Sequence, residues 1–218
     1  MAVHLLRDLD KLKKEVLLLG SMVIEATDKS ILALVDRRPD LAQEVKDGDK
    51  DVDDREIRVE EECLKILALH QPVAHDLRFV VAVMKVNNDL ERVGDLAGNL
   101  AGRAAFLAGQ EPISIPEKLR QMADSVPGML RRSLDSLIKL DTDLARSILE
   151  DDEVVDELHK DLYQHLEDRM GEEPDRIKEL VQLLSVSRYL ERIADLATNI
   201  AEDVVFLVDG DVVRHRAW

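Results

Sequence analysis

Four pairs of acidic residues could bind a ligand, because the two members of each pair are spaced four residues apart. Residues at this spacing lie one above the other on one face of an α-helix. Both carboxylates of a pair can therefore reach the same ligand. The pairs are Asp49 and Asp53, Glu91 and Asp95, Asp152 and Asp156, and Glu191 and Asp195.

Two of these pairs lie in a repeated segment. Residues 90–101 read LERVGDLAGNLA and residues 190–201 read LERIADLATNIA, with eight of twelve positions identical. A period of 100 residues is too long for a solenoid unit and is typical of a duplicated helical bundle. We predict an all-α fold of two tandem, pseudo-symmetric three-helix bundles, residues 1–109 and 110–218.

Hydrophobic periodicity predicts three helices in each half. Pro39 and Pro72 separate the helices of the first half, and Gly48 is a candidate break in the second helix. Pro127 and Asp141 are candidate breaks in the fourth. The predicted helices span residues 4–37, 40–70, 73–108, 117–149, 153–170 and 175–208.

The predicted turns bring the acidic pairs of each half to one level. In an antiparallel helix hairpin, residues equally far from the turn lie at the same height, because both helices rise about 1.5 Å per residue. Asp53 and Glu91 are equally far from Pro72. The same holds for Asp49 and Asp95, and the second-half pairs are related in this way about the turn predicted at positions 173 and 174. Each half should place four carboxylates at one level.

The neighbours of the pairs differ between the halves. Glu56 and Glu60 continue the acidic stripe of the second helix toward apolar Cys63, which predicts that this stripe faces a partner helix. The fifth helix has His159 and Tyr163 at the corresponding positions. We therefore predict Glu56, Glu60 and His159 as additional metal ligands and expect the two sites to differ in occupancy.

The clustered negative charge predicts a bound cation. Burying such carboxylates unpaired costs several kcal/mol each or forces them to take up protons. Oxygen ligands favour Mg, Ca, Mn or Fe over Zn, and bridging carboxylates suit a multinuclear cluster. The alternative is two surface rows of acids neutralised by nearby arginines, namely Arg55, Arg92, Arg188 and Arg192.

The composition excludes other classes of protein. With 3% aromatic residues and nine glycines among 218 residues, an all-β fold is excluded. The net charge of −16 repels phosphate backbones, so we expect no nucleic-acid partner. No apolar run has the length of a signal or a membrane span, so we expect a cytoplasmic protein without direct membrane insertion.

The chain contains four recognisable motifs: QPVAHDLR at residues 71–78, LERVGD at 90–95, LERIAD at 190–195 and NIAE at 199–202. Together they resemble the PhoU family of phosphate-transport regulators, and the similarity covers the whole chain. The resemblance implies a non-enzymatic, homodimeric regulator that represses the phosphate regulon by coupling a Pst-type phosphate transporter ATPase to a PhoR-type sensor kinase. It implies a location in the cytoplasm or, through these partners, at the inner face of the membrane.

The resemblance also implies a multinuclear cluster of iron, or alternatively of zinc or manganese, on the eight paired carboxylates. Glu202, in the last motif, is a further candidate ligand, and Arg78 is a candidate contact to a partner or to phosphate. Ala194 and Leu196 depart from the glycine and the polar residue that are more frequent in the family. This departure is a second reason to expect unequal sites.

Two alternatives remain open: a metal-dependent phosphohydrolase, since a bound metal can activate water, and a metal-free helical adaptor for another transporter. A ferritin-like oxidase would need Glu-x-x-His, but Gly94 and Ala194 occupy that position. No role is assigned to the terminal Arg214, Arg216 and Trp218.

Overall fold

The computed structural model describes residues 2–210, which form six long α-helices and the short 3-10 helix Pro174–Arg176. Residues 1 and 211–218, which include Arg214, Arg216 and Trp218, lie outside the described part of the chain. The long helices are α1 (Ala2–Val35), α2 (Pro39–His70), α3 (Ala74–Ala108), α4 (Glu117–Lys139), α5 (Thr142–Glu172) and α6 (Ile177–Asp209).

The helices form two three-helix bundles. Helices α1, α2 and α3 pack against one another, as do α4, α5 and α6, and the halves join mainly through α3 and α6. Each bundle is held by a core of buried Leu, Val, Ile, Met and Ala side chains. No strand occurs in residues 2–210, which confirms the predicted all-α fold. Within the same range, no helix has the length and apolarity needed to cross a membrane.

Backbone chemistry explains the hairpin that pairs α2 with α3. Pro39 begins α2 in the first turn, where its missing N–H leaves no hydrogen bond unmade. The helix ends at Gln71, which is left-handed, and Val73 is extended. Pro72 disfavours helical backbone in the residue before it, so the chain reverses here as predicted.

The structure confirms the candidate break at Asp141 and corrects the boundary predicted between the fourth and fifth helices. The fourth helix ends at Lys139 instead of residue 149, and the fifth begins at Thr142 instead of residue 153. Leu140 is left-handed with φ 54°, which ends α4. The Asp141 carboxylate then accepts a hydrogen bond of 2.9 Å from the Leu144 N–H, so Asp141 is the N-cap of α5.

Two candidate break points do not interrupt their helices. Gly48 lies inside continuous α2, and buried Pro127 lies inside continuous α4. Tertiary packing of an amphipathic face contributes more to helix stability than the propensity of single residues, which explains both. The last turn is displaced by one or two residues from its predicted position, because α5 continues to Glu172 and α6 begins at Ile177.

Polar bonds fix α3 against α6. Lys85 donates a 3.0 Å hydrogen bond to Asp203, which is 2% exposed. At the other end of α3, Arg103 donates to the side chains of Gln182 at 3.1 Å and Tyr189 at 3.3 Å. These contacts require antiparallel helices, and they place the acidic pairs of α3 and α6 near the middle of the shared layer.

Candidate metal centres

The first cluster, defined as Asp49, Asp53, Glu91 and Asp95, lies between α2 and α3. Partial burial raises the pKa of Asp49, and the charges of Asp53 and Asp95 raise it further. The pKa of Glu91 is raised by burial and then by the charges of Asp95, Asp53 and Asp49. Asp53 and Glu91 line one cleft between α2 and α3, and the charges of Asp49 and Asp95 act on the same group of carboxylates.

The second cluster, defined as Asp152, Asp156, Glu191 and Asp195, lies between α5 and α6. Burial raises the pKa of Asp152 to about 7, with further contributions from Asp156, Asp195 and Glu191. Burial, followed by the charges of neighbouring carboxylates, also raises the pKa values of Glu191 and Asp195. The four predicted carboxylates of the second half therefore also act on one another electrostatically.

Both clusters lie at the edges of helix seams. On α2, Asp49 and Asp53 are exposed and Glu56 is half-buried, whereas the buried face consists of Ala42, Val45, Val52, Val59, Cys63 and Ile66. The acids thus lie beside the apolar stripe and do not continue it, which corrects the predicted orientation. An edge position leaves the carboxylates accessible to ions from solvent.

Basic side chains do not pair with the clusters. Among residues 2–210, none of the eight paired carboxylates has a Lys, Arg or His nitrogen within salt-bridge distance. Arg55 pairs with Glu15 at 2.6 Å, and Arg92 lies 3.9 Å from Asp89. Arg188 and Arg192 lower the pKa of Glu191 through their charge alone. The arginine-neutralised surface expected under the alternative hypothesis therefore lacks its direct ion pairs.

The donor set fits a cation that prefers oxygen. Asp152 Oδ1 is buried and has no hydrogen-bond partner among the described residues. A buried acceptor without a donor carries a desolvation cost that a metal ion would offset. In the same part of the chain, no three His, Cys, Asp or Glu side chains yet converge on one ion position. Metal binding would therefore require rotation of the carboxylate side chains.

Two buried polar residues of the sites were not predicted from the sequence. Asn87 donates a 2.6 Å hydrogen bond from Nδ2 to Glu56 Oε1. At the equivalent position of α6, Ser187 Oγ lies 2.5 Å from Nδ1 of His159. The sequence repeat contains a signal for both, because they are equivalent polar positions. Asn87 lies four residues before Glu91, and Ser187 lies four residues before Glu191.

The remaining predicted residues are placed unequally. Glu60 is exposed, and its charge raises the pKa of Glu56, so it lies at the rim of the first cluster. Glu202 follows Asp195 by two helical turns, about 10 Å along the axis, and lies outside the level of the carboxylates. Burial raises the pKa of the Cys63 thiol to about 12, in keeping with a core role.

Arg78 lies at the C-terminal end of α6. One guanidinium nitrogen is 3.4 Å from the position that a Cβ on Gly210 would take. A cation near the carbonyls of a helix C-terminus is stabilising, so this position suits the charge of Arg78. Its predicted contact to phosphate or to a partner stays a prediction.

A groove between α3 and α6 joins the two clusters. Asp95 of the first cluster and Asp195 of the second both line it, so the clusters open onto one face of the molecule. Four residues of α3 and their repeat equivalents on α6 form its walls: Arg92, Asp95, Leu96, Asn99, Arg192, Asp195, Leu196 and Asn199.

Known proteins share both the sequence and the fold. The PhoU domain model matches twice, at residues 16–104 and 119–204. The phosphate-specific transport system accessory protein PhoU homolog of Aquifex aeolicus is 39% identical over 98% of this chain and 97% of its own length. The Escherichia coli protein of that name is 31% identical, over 95% of this chain and 86% of its own length.

Two crystal structures superpose over almost the whole chain. PhoU from Pseudomonas aeruginosa matches with a TM-score of 0.90 and 35% identity, covering 94% of this chain and 99% of its own. The phosphate transport system regulatory protein PhoU from Streptococcus pneumoniae gives 0.86 and 31%, covering 96% and 99%. With both halves matched by the domain model and the full length by these relatives, the chain belongs to the PhoU family.

Proposed function

We propose that this protein is a non-enzymatic, cytoplasmic regulator of phosphate uptake and phosphate homeostasis. It represses the phosphate regulon by coupling a Pst-type phosphate transporter ATPase to a PhoR-type sensor kinase, and it acts as a homodimer. The names of the relatives support the phosphate-transport part, since they describe accessory and regulatory proteins of a phosphate transport system.

The observation that carries the proposal is the pair of carboxylate clusters that open onto one face and form no salt bridge within residues 2–210. The eight paired carboxylates would hold a multinuclear cluster of iron, or alternatively of zinc or manganese, in each half. When bound, the metal supplies positive charge. The acidic side chains of α2 and α3, and of α5 and α6, would then serve as ligands that tie each pair of helices together.

The same face offers contacts for a protein partner. Exposed apolar side chains occupy equivalent positions on α3 and α6: Leu77 and Ile177, and Val81 and Val181. They lie toward the two ends of the layer, on either side of the charged groove at its centre. Apolar patches flanking a polar centre are suited to docking another protein.

Partner capture tests the proposal. The full-length protein, purified without chelators, is presented to a Pst-type ATPase and to the cytoplasmic part of a PhoR-type kinase from the same organism. We expect both to bind the wild type. The variant with E91Q, D95N, E191Q and D195N should lose its metal, measured by elemental analysis, and bind both partners at least tenfold more weakly.

A matched control removes four charges elsewhere on the middle helices. D54N, E61Q, E157Q and E167Q change exposed acids of α2 and α5 that lie outside both clusters. This variant should keep its metal content and partner affinity. Unchanged partner binding by the cluster variant would refute the proposed mechanism.

A further inference from the structure

A buried polar side chain on the third helix of each half holds a different potential ligand on the middle helix. Asn87, 1% exposed, donates its 2.6 Å hydrogen bond to Glu56 of the first half. Ser187, fully buried, lies 2.5 Å from His159 Nδ1 in the second half. Positions 87 and 187 are equivalent in the repeat, and Glu56 and His159 each follow the second acid of a pair by three residues.

The held group differs in chemistry between the halves. Glu56 adds a carboxylate to a cluster of carboxylates, which suits hard ions such as Mn²⁺ or Mg²⁺. His159 adds an imidazole, which suits Zn²⁺ and similar borderline ions. Because Nδ1 of His159 is engaged by Ser187, the ring is fixed in orientation and Nε2 is the nitrogen left for a metal.

Unpartnered oxygen atoms at both places point to a ligand. Within residues 2–210, Asn87 Oδ1 is buried beside Glu56 and has no hydrogen-bond partner. The same holds for Asp152 Oδ1, which lies seven residues before His159 on the same face of α5. Buried acceptors in folded proteins are usually paired, so these two oxygens leave places for a bound ion or a water molecule.

We propose that the two halves select different metals. Glu56, held by Asn87, keeps the first site all-oxygen and suited to Mn²⁺ or Mg²⁺, whereas His159, held by Ser187, makes the second site favour Zn²⁺. Asn87 and Ser187 are positioning residues. The inference rests on the proposed function to the extent that it takes the carboxylate clusters as metal sites.

Single-site variants of the full chain test the difference. The double variant E191Q with D195N disables the second site and keeps the first, so we call it the first-site protein. The double variant E91Q with D95N disables the first site and keeps the second, so we call it the second-site protein. Each protein, stripped of metal and checked by circular dichroism for intact helices, is titrated calorimetrically with Mn²⁺ alone and with Zn²⁺ alone. Most nitrogen and oxygen sites bind Zn²⁺ more tightly than Mn²⁺, so the ratio of the two affinities is compared between proteins. We expect the ratio to be about tenfold or more higher in the second site.

Substitutions within each site then assign the preference to a residue. In the second-site protein, H159E should lower the Zn²⁺ to Mn²⁺ ratio to that of the first site. H165A, which removes an exposed histidine of the same helix, should leave the ratio unchanged. In the first-site protein, E56H should raise the ratio.

The positioning role of Ser187 has its own readout. S187A should weaken Zn²⁺ binding about tenfold, since loss of a partner that orients a ligand typically costs 10–100-fold in affinity. Zinc K-edge absorption should show imidazole ligation in the second-site protein and in H165A, and none in H159E.

Three outcomes overturn the inference. They are equal ratios in the two single-site proteins, a ratio unaffected by H159E, and failure of both proteins to bind either metal. Failure of the proposed function is a separate result, because it appears as partner binding that survives loss of the four carboxylates.

Discussion

The two carboxylate clusters have the same helical framework but different surroundings. Asp49 is exposed and its pKa is raised by partial burial, whereas the equivalent Asp152 is half-buried with a pKa raised to about 7. The two halves therefore place their acids at the same level along the helices but differ in the solvent exposure of these acids. Near neutral pH, and without metal, Asp152 binds a proton in a substantial fraction of molecules.

The neighbouring helix explains this difference in burial. In the first half, Ala26, Gly48 and Asp49 line an open cleft between α1 and α2. In the second half, Asp151 takes the place of Gly48, and Arg132 of α4 forms an ion pair with it. In the described part of the first half this pair has no counterpart, because Lys29, at the position equivalent to Arg132, lies in the same cleft as Gly48 and pairs with Glu25 and Glu44 instead. We infer that the Arg132–Asp151 pair covers Asp152 from solvent.

Metal removal is the largest perturbation by which the comparison can be tested. Free metal at a thousand times its dissociation constant stabilises a folded site by about 4 kcal/mol. With Zn²⁺ as the metal, we expect E191Q with D195N to lose more of this stabilisation than E91Q with D95N. Denaturant unfolding with and without chelator measures it, and equal losses would contradict a difference between the sites.

The proton on Asp152 gives the next largest effect, and its sign follows from the pKa. In the metal-free folded chain the pKa is about 7, but in the unfolded chain it is about 3.9. Between these pH values the folded state holds a proton that the unfolded state has lost. The free energy of unfolding therefore falls as pH rises from about 4 to about 7.

D152N should abolish this fall in the free energy of unfolding, because asparagine does not titrate. We expect the metal-free variant to be more stable than wild type on the order of 2 kcal/mol at pH 8, and to gain nothing at pH 4. D49N is the matched variant of the first cluster and should gain less at pH 8. Urea unfolding at both pH values measures the gains, and a larger gain for D49N would reverse the comparison.

Much of this arrangement could be predicted from the sequence. Equal distances from Pro72 placed Asp53 and Glu91 at one level, because helix rise and a tight turn leave little freedom. Asp141 was predicted as a break in the fourth helix but not as the start of the fifth, because helical periodicity continues on both sides of it. Asn87 and Ser187 were missed because only tertiary packing decides which polar residues are buried.

The helix contact beside each cluster provides a smaller test. A Cβ on Gly94 would lie 3.2 Å from Val52 Cγ1, whereas the equivalent Ala194 is already accommodated and fully buried. We expect A194G to cost about 1 kcal/mol, the usual loss of helix propensity. G94A should change stability little, because crowding against Val52 offsets its gain in propensity. Thermal unfolding of both variants checks this, and a clear stabilisation by G94A would show that the two contacts are equivalent.

The smallest effect on stability tests the cause assigned to the burial of Asp152. R132A removes a partly exposed ion pair and should cost less than about 1 kcal/mol.

The effect of R132A on the pKa of Asp152 depends on two opposing changes. Loss of a nearby positive charge would raise that pKa, whereas admission of water would lower it toward the usual value. Burial is the largest cause of the present shift and Arg132 is not among the charges that contribute to it, so we expect the pKa to fall. Carboxyl carbon chemical shifts followed against pH in the metal-free protein measure it. G48D is the reciprocal change in the first half, where Lys29 already occupies the position equivalent to Arg132, and it should raise the pKa of Asp49. If the pKa of Asp152 instead rises in R132A, cover by Arg132 is not the cause of the difference between the clusters, because a positive charge can only lower a carboxyl pKa.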